Sequence, residues 1–472
     1  MKRLDIILLV LVLAMTGVFA GGASEKSNAS NAAAATDGKH YVFKIAATDE
    51  AWRPNAVIEA AKRLNAQLAS EGSKDTVEVE WELVDDFKNS FPLWIQEKNL
   101  PEIIAHKQTI IYKYAQAGYI VDSGYIVNDE VYTQKVPANL RDFGLMDGKY
   151  YGIICDTEAR FVVVYKPALL ALGWTEEQIA TWRQSAIEGK VTTADLQNLA
   201  KQVVDAGITQ YGITTRPNSG ADWTYFYATW NGGKIPQNEK GQNVVSRKAV
   251  IDALTFYRKN VQMGITPYNM LTDFNWDMLE GDIWPNGKSF AWYGIVATKS
   301  DCMNASGVSA EYFDDNFISI PTPVHKLGDT PFCGSSPYLW ALTTASQKDA
   351  KTSEYIRRIL DNVLDLDIQL DLSLNHAHMA ITDECAQSEE YRADNWMTAA
   401  NDLVPFMGKY QVSPLREGLQ DMYADTKEYF NAVQEAMLKA NDPTARSVEA
   451  IADDFIKQVT FAMGSGNYIL VD

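Results

Sequence analysis

Two short apolar runs, Gly152–Cys155 and Phe161–Tyr165, are separated by the mostly polar stretch Asp156-Thr157-Glu158-Ala159-Arg160. Each run is continuous and rich in β-branched or aromatic residues, so each reads as a buried strand. A turn at Asp147-Gly148-Lys149 precedes them, and a helix-like segment with Gly173-Trp174 follows. Two core strands with so little between them fit a chain leaving one domain and entering another. Polar groups at such a junction face the cleft between domains, a common place for ligands. The other reading is an ordinary loop carrying a surface Glu–Arg pair.

Residues 1–20 read as a signal peptide. Lys2 and Arg3 form the positive region, Ile6 to Met15 the short apolar core, and Val18-Phe19-Ala20 a cleavage site after Ala20. No cysteine follows the apolar run before Cys155, so the exported chain is expected to carry no lipid. Residues 21–39 are rich in Gly, Ser, Ala and Asn and read as a flexible tether. About 430 residues remain, too many for one typical core, and two domains are expected. The formal charge of −19 argues against binding a phosphate backbone and favours solubility. Twelve Trp and 23 Tyr exceed what a core needs, and a surplus suits stacking on flat apolar faces such as sugar rings. Cys155, Cys302, Cys333 and Cys385 show no metal-ligand spacing. Export permits disulfides among them, and four buried thiols is the simpler reading.

The remaining chain opens as an α/β protein. Tyr41–Ala47 alternates as a strand, Val57, Ala61, Leu64 and Leu68 recur at helical period, and Val77, Val79, Trp81 and Leu83 alternate with three glutamates. Strand, helix, strand begins a parallel sheet, whose ligands sit beyond the carboxyl ends of the strands. Asp49, Glu50, Trp52 and Arg53 occupy such an end. Leu100–His106 repeats the pattern, putting His106 at a second strand end. Later come a helix over Thr192–Ala206, a strand at Tyr211–Thr215, the aromatic stretch Asp222–Gly233, a helix over Ala249–Val261 and a strand in Gly287–Gly294. Alternation allows only one of Trp292 and Tyr293 to face a ligand.

Taken in order, these segments resemble the family 1 extracellular solute-binding proteins, the maltose-binding-protein-like group of ABC importers. The motifs that carry the resemblance are Tyr150–Lys166 as a first interdomain crossing, Pro101-Glu-Ile-Ile followed by Tyr114-Ala-Gln-Ala-Gly118, and the aromatic helix closing on Asn231-Gly-Gly233. They continue with Gly264-Ile-Thr-Pro267, the Gly-Lys strand at Gly287, Phe317–Pro323 as a second crossing, Gly334–Trp340, and Asn375–Thr382 as a third crossing. Phe290 stands where the family has a small residue. The resemblance implies an α/β, two-lobed periplasmic-binding-protein fold of type II. Each lobe would be a mostly parallel sheet flanked by helices, with 40–156 and 317–374 in the first lobe and 157–316 and 375–472 in the second. It implies ligand contacts from Asp49, Trp52, Arg53, His106, Asp156, Glu158, Trp223, Tyr225, Trp276, Trp292 or Tyr293, and Ser335; Trp230 is expected in the core. It further implies a monomer that binds a sugar or oligosaccharide and partners the transmembrane subunits of an ABC permease, with no nucleic acid, cofactor or metal.

No phosphate-binding Gly-Lys loop, His-Glu-x-x-His, Cys-x-x-Cys or Gly-x-Ser-x-Gly elbow occurs. His376 and His378, two residues apart, suit neither one helix face nor a zinc pattern. Acidic pairs are too numerous among 61 Asp and Glu to discard a glycoside hydrolase on this ground. Three readings therefore stand: a periplasmic binding protein that closes on a carbohydrate and delivers it to a permease, a secreted glycan-active enzyme, and a ligand-sensing subunit of a signalling system.

Overall fold

Why residues 40–107 fold as strand, helix, strand is visible in their burial. In the computed structural model, His40–Ala47 (β1) buries Phe43, Ile45, Ala46 and Ala47, and the helix Trp52–Ser70 (α1) buries Val57, Ala61, Leu64 and Leu68 on one face. Thr76–Leu83 (β2) and Ile103–Lys107 (β3) pair parallel to β1 on either side. Helices Phe87–Glu97 (α2) and Gln108–Gln116 (α3) flank β3 in sequence. The residues described are 38–48, 52–84, 87–146, 148–217, 230, 242–335, 337–407, 427–466 and 468–472. The expected signal peptide and most of the tether lie outside them.

A small hairpin, Leu145–Met146 (β4) with Lys149–Tyr150 (β5), leads into Ile153–Asp156 (β6). Ala159–Tyr165 (β7) follows after only Thr157 and Glu158. The two apolar runs are therefore strands, and they belong to different sheets. The first sheet has the order β2-β1-β3-β13-β6, where β13 is Tyr338–Leu342. The second has the order β11-β7-β10-β8, with Tyr211–Thr214 (β8), Ser289–Ile295 (β10) and Phe317–Ile320 (β11). Gly334–Ser335 (β12) also pairs with β7. A two-stranded parallel pair joins Asn243–Ser246 (β9) to Tyr468–Val471 (β14).

Each sheet has one dissenting strand. β13 is antiparallel to β3 and β6, while β1, β2, β3 and β6 share a direction. β7 is antiparallel to β10 and β11, while β8 and β10 are parallel. Most strands of each sheet share a direction, but the dissenting strand sits inside each sheet, so both sheets are mixed and not the mostly parallel ones expected. Residues 317–320, expected beside the second crossing in the first lobe, form β11 and pair along β7 in the second sheet. β7 is buried throughout its middle and needs a partner on both edges; β10 takes one edge and β11 the other.

Helix boundaries follow local chemistry. Thr192 and Asp195 form a capping box at the start of Thr193–Asp205, and Ser246 caps Arg247–Gln262. Val448, Ile451, Phe455 and Val459 of Val448–Met463 are buried as one face. β2 departs from its alternation pattern: Trp81 and Leu83 are 41% and 47% exposed on this edge strand. All four cysteines are buried and free of disulfides. Trp230 is buried, with its ring 5.2 Å from that of Phe256.

Candidate ligand site at the crossings

The directions of the strands decide where the two sheets meet. The chain leaves the first sheet at the C-terminal end of β6 and enters the second at the N-terminal end of β7. Because β7 runs against its neighbours, its first residues lie beside their last ones: Arg160 is opposite Ile295, and Phe161 opposite Gly294, at the end of β10. The carboxyl ends of the codirectional strands of both sheets are thus brought together, the place where α/β sheets hold ligands. The return path runs alongside. Ser335 of β12 is opposite Ala159, and Tyr338 of β13 is opposite Asp156, with a register shift at Tyr338/Leu339. A third strand of chain passes the same point, where the Met379 amide donates to the Thr157 carbonyl at 3.1 Å.

The side chains at this point form one cluster. Arg53, at the start of α1, donates from Nε to Asp156 Oδ2 at 2.7 Å, and both residues are almost fully buried. The guanidinium lies 3.6 Å over the Tyr338 ring and 4.3 Å over the Trp52 ring. Burial alone would raise the Asp156 carboxyl; the positive charge of Arg53, helped by His378 and the hydrogen bond, outweighs it and holds the group below its ordinary value. Glu158 is mostly buried, with Oε2 3.7 Å from Arg160 Nη2 and Oε1 3.7 Å from His378 Nε2. The Glu–Arg pair therefore exists, at the junction of the sheets. Trp52 stacks on His376 at 5.0 Å and packs against His378 at 4.5 Å. His106, half-buried, meets Phe87 edge-on at 4.8 Å and lies parallel to Tyr338 at 6.4 Å.

A cavity of about 300 Å³ opens beside the end of β10, lined by Arg216, Trp276, Glu280, Trp284, Tyr293, Gly294, Ile295, Thr298 and Asp301. Arg216 lies 5.0 Å over the Trp276 ring, and Trp276 meets Trp284 edge-on at 6.2 Å. Trp284 stacks flat on Trp292 at 5.2 Å. Of the two residues that alternation made exclusive, Tyr293 lines the cavity and Trp292, fully buried, backs its wall through Trp284. Burial raises the Glu280 carboxyl, Asp277 adds to this, and Arg216 opposes it. The donor set suits hydroxyl-rich ligands: carboxylates accept, guanidinium groups donate, and indole faces cover C–H surfaces.

The expected site residues thus divide. Trp52, Arg53, Asp156 and Glu158 converge on the crossings with Ser335, and Arg53 and Asp156 are used on each other. His106 lies next to Tyr338, while Trp276 and Tyr293 line the cavity. Asp49, Trp223 and Tyr225 lie outside the described residues. The sequence reading left out His376, His378, Tyr338, Arg216, Glu280, Trp284 and Asp301. Placing Asn375–Thr382 as a third crossing was the signal that could have found the two histidines. Among the described residues, no group of three His, Cys, Asp or Glu could hold a metal ion, and no helix is long and apolar enough to cross a membrane.

No protein-family model and no curated protein sequence matches the chain. Solved structures do. A cyclic α-maltosyl-1,6-maltose binding protein from Arthrobacter globiformis aligns with a TM-score of 0.64 at 14% identity, covering 90% of this chain and 99% of that one. The sugar-binding protein MalE from Xanthomonas citri aligns with a TM-score of 0.65 at 13% identity, covering 89% and 97%. An ABC substrate-binding protein from Listeria monocytogenes in complex with cycloalternan gives 0.61 at 15% identity, covering 90% and 99%. At these identities the likeness speaks for architecture, and the chain has the two-lobed fold of the maltose-binding-protein-like, family 1 extracellular solute-binding proteins.

Proposed function

We propose that the protein is the exported substrate-binding subunit of an ABC importer, which closes two lobes on a carbohydrate and hands it to a membrane permease. The observation that carries this reading is the junction itself. Among the described residues, the chain passes between the sheets at Thr157-Glu158, at Pro337 and at His376–Met379, and carboxylate, guanidinium and indole groups gather beside them. Links this few and this close together make a hinge, and hinge closure around a ligand is how such lobes work. The sugar-binding structural neighbours support a sugar or oligosaccharide as the ligand. The first lobe is then 40–156 with 338–374, and the second 157–335 with 375–472, the pairing of β11 and β12 with β7 having moved the boundary. Export through residues 1–20, a monomeric state and the absence of catalysis complete the proposal.

The test is a melting screen of protein lacking residues 1–20 against monosaccharides, oligosaccharides, polyols and peptides, followed by calorimetry and small-angle scattering on the hits. Ligand at a hundred times Kd adds about 2.7 kcal/mol to the folded state, enough to see as a shifted melt. A sugar hit with a reduced radius of gyration supports the reading. A sugar hit with turnover moves the protein to the enzyme class. No hit among sugars, with binding of a peptide, overturns the carbohydrate assignment.

A further inference from the structure

His378 stands on the third crossing, and its two ring nitrogens have unlike neighbours. Nδ1 lies 2.6 Å from the carbonyl oxygen of His376. A carbonyl oxygen only accepts, so Nδ1 carries the hydrogen in both protonation states of the ring. In the neutral ring, Nε2 is then a lone pair. It faces Asp156 Oδ1 at 3.6 Å and Glu158 Oε1 at 3.7 Å, both acceptors themselves. These distances are longer than hydrogen bonds, and neither Nε2 nor Asp156 Oδ1 has a hydrogen-bond partner among the described residues. The His378 side chain is only 7% exposed to solvent. Three acceptors facing one another in a buried space repel; one proton on Nε2 makes the middle one a donor to the other two.

The surrounding charges leave those two oxygens for His378. Arg53 takes the other oxygen of Asp156, and Arg160 lies on the Oε2 side of Glu158. Trp52 covers one side of the ring. His376 stacks on Trp52 with its Nε2 3.9 Å from Asp371, away from the two carboxylates.

We propose that His378 is a proton-operated latch on the hinge. Protonation at Nε2 draws Asp156 Oδ1 and Glu158 Oε1 onto the imidazolium, ties the third crossing to the first, and withdraws from the ligand the oxygen that Glu158 would offer. The last consequence rests on the function proposed above; the first two do not. A proton that the folded state holds more readily than the unfolded chain adds stability as pH falls. Where ligand and proton compete for Glu158, binding expels the proton, and affinity falls as the ring protonates.

Two measurements test this. The first needs no ligand: melts of wild type, His378→Gln, His378→Phe and His376→Gln between pH 8 and pH 5.5. His378→Gln keeps a neutral donor at every pH, and His378→Phe keeps the packing on Trp52 without a donor. Wild type and His376→Gln are expected to gain several degrees relative to both His378 variants as pH falls. Parallel curves for all four overturn the latch. The second is calorimetry with the sugar found by the screen, in buffers of different ionisation heat. Proton release on binding is expected in wild type and absent in His378→Gln, with wild-type affinity about five- to tenfold weaker at pH 5.5 than at pH 8. Binding without proton release, at an affinity indifferent to pH, refutes the competition for Glu158. Failure of every sugar to bind sinks the proposed function, and the melts still decide the latch.

Discussion

Replacing Arg53 with Met isolates what the buried ion pair at the crossings contributes. Methionine keeps the length and apolar stem and can pack between Trp52 and Tyr338, where the guanidinium now lies at 4.3 and 3.6 Å from the ring centroids. What it removes is the 2.7 Å donor to Asp156, leaving a carboxylate 1% exposed with no cation bonded to it. Breaking a buried pair from one side costs about 3–5 kcal/mol, because the surviving charge is uncompensated. Unfolding about 430 residues carries an entropy of about 0.9 kcal/mol per kelvin, so the melting temperature should fall by about 3–6 °C. Scanning calorimetry at pH 7 reads this directly. The double variant Arg53→Met with Asp156→Asn removes both charges and should recover at least half of the loss. The pH dependence has a fixed sign. Asp156 is held below its ordinary value in the folded state, so its contribution is complete above the ordinary carboxylate range and is lost as pH falls through its folded value. The gap between wild type and Arg53→Met should therefore narrow in acid. A single variant within 1 kcal/mol of wild type, or a double variant no better than the single, would show that the pair does not hold the crossing.

Other expectations follow from the same geometry. Trp276→Ala should leave the fold intact and weaken ligand binding by about 1–3 kcal/mol in calorimetry, since the ring lines the cavity under Arg216; unchanged affinity would remove the cavity from the site. Gly152→Ala should cost about 1–3 kcal/mol in a urea melt, because a methyl group there would stand 2.7 Å from Leu339 Cβ on β13; a neutral result would mean that β6 and β13 can part without cost. Lys299→Met should cost about 3–5 kcal/mol, since Lys299 is buried with its Nζ 2.8 Å from both Asp314 and Asp394, and addition of Asp394→Asn should return part of it.

Local signals in the sequence carried far, and non-local ones did not. The helical face Val57, Ala61, Leu64, Leu68 and the helices over Thr192–Ala206 and Ala249–Val261 were legible because each depends on neighbours a few residues away. The two strands around Asp156–Arg160 were legible because short apolar runs bounded by polar residues have few other uses. Their membership of separate sheets had to come from the structure. So did the pairing of β11 with β7 and the insertion of β13 between β3 and β6, which no periodicity records. Trp81 and Leu83 alternate as a buried face would, but alternation cannot tell whether anything covers an edge strand. At the site, Arg53, Asp156 and Glu158 could each be named as polar groups at strand ends. That Arg53 and Asp156 neutralise each other depends on segments 103 residues apart in sequence, and that His378 faces both carboxylates depends on segments more than twice as far apart. Residue spacing made the two histidines look idle; the third crossing gives them neighbours.

The strand order of the first sheet also sets a schedule for its assembly. β7, β8, β10 and β11 all lie between residues 159 and 320, so the second sheet can form from one uninterrupted stretch of chain. The first cannot: β6 touches its sheet only through β13, and residues 157–337 intervene between the two. Bringing such distant segments together carries a loop-closure penalty and slows folding. A nascent chain emerging from its N-terminus would hold β1, β2 and β3 together early and leave β6 without a neighbour until Tyr338–Leu342 arrived. The second sheet, later in sequence, would be finished first. β13, slotting between β3 and β6, would be the closing step for the first sheet and for the pairing of Tyr338 with Asp156 beside the crossings.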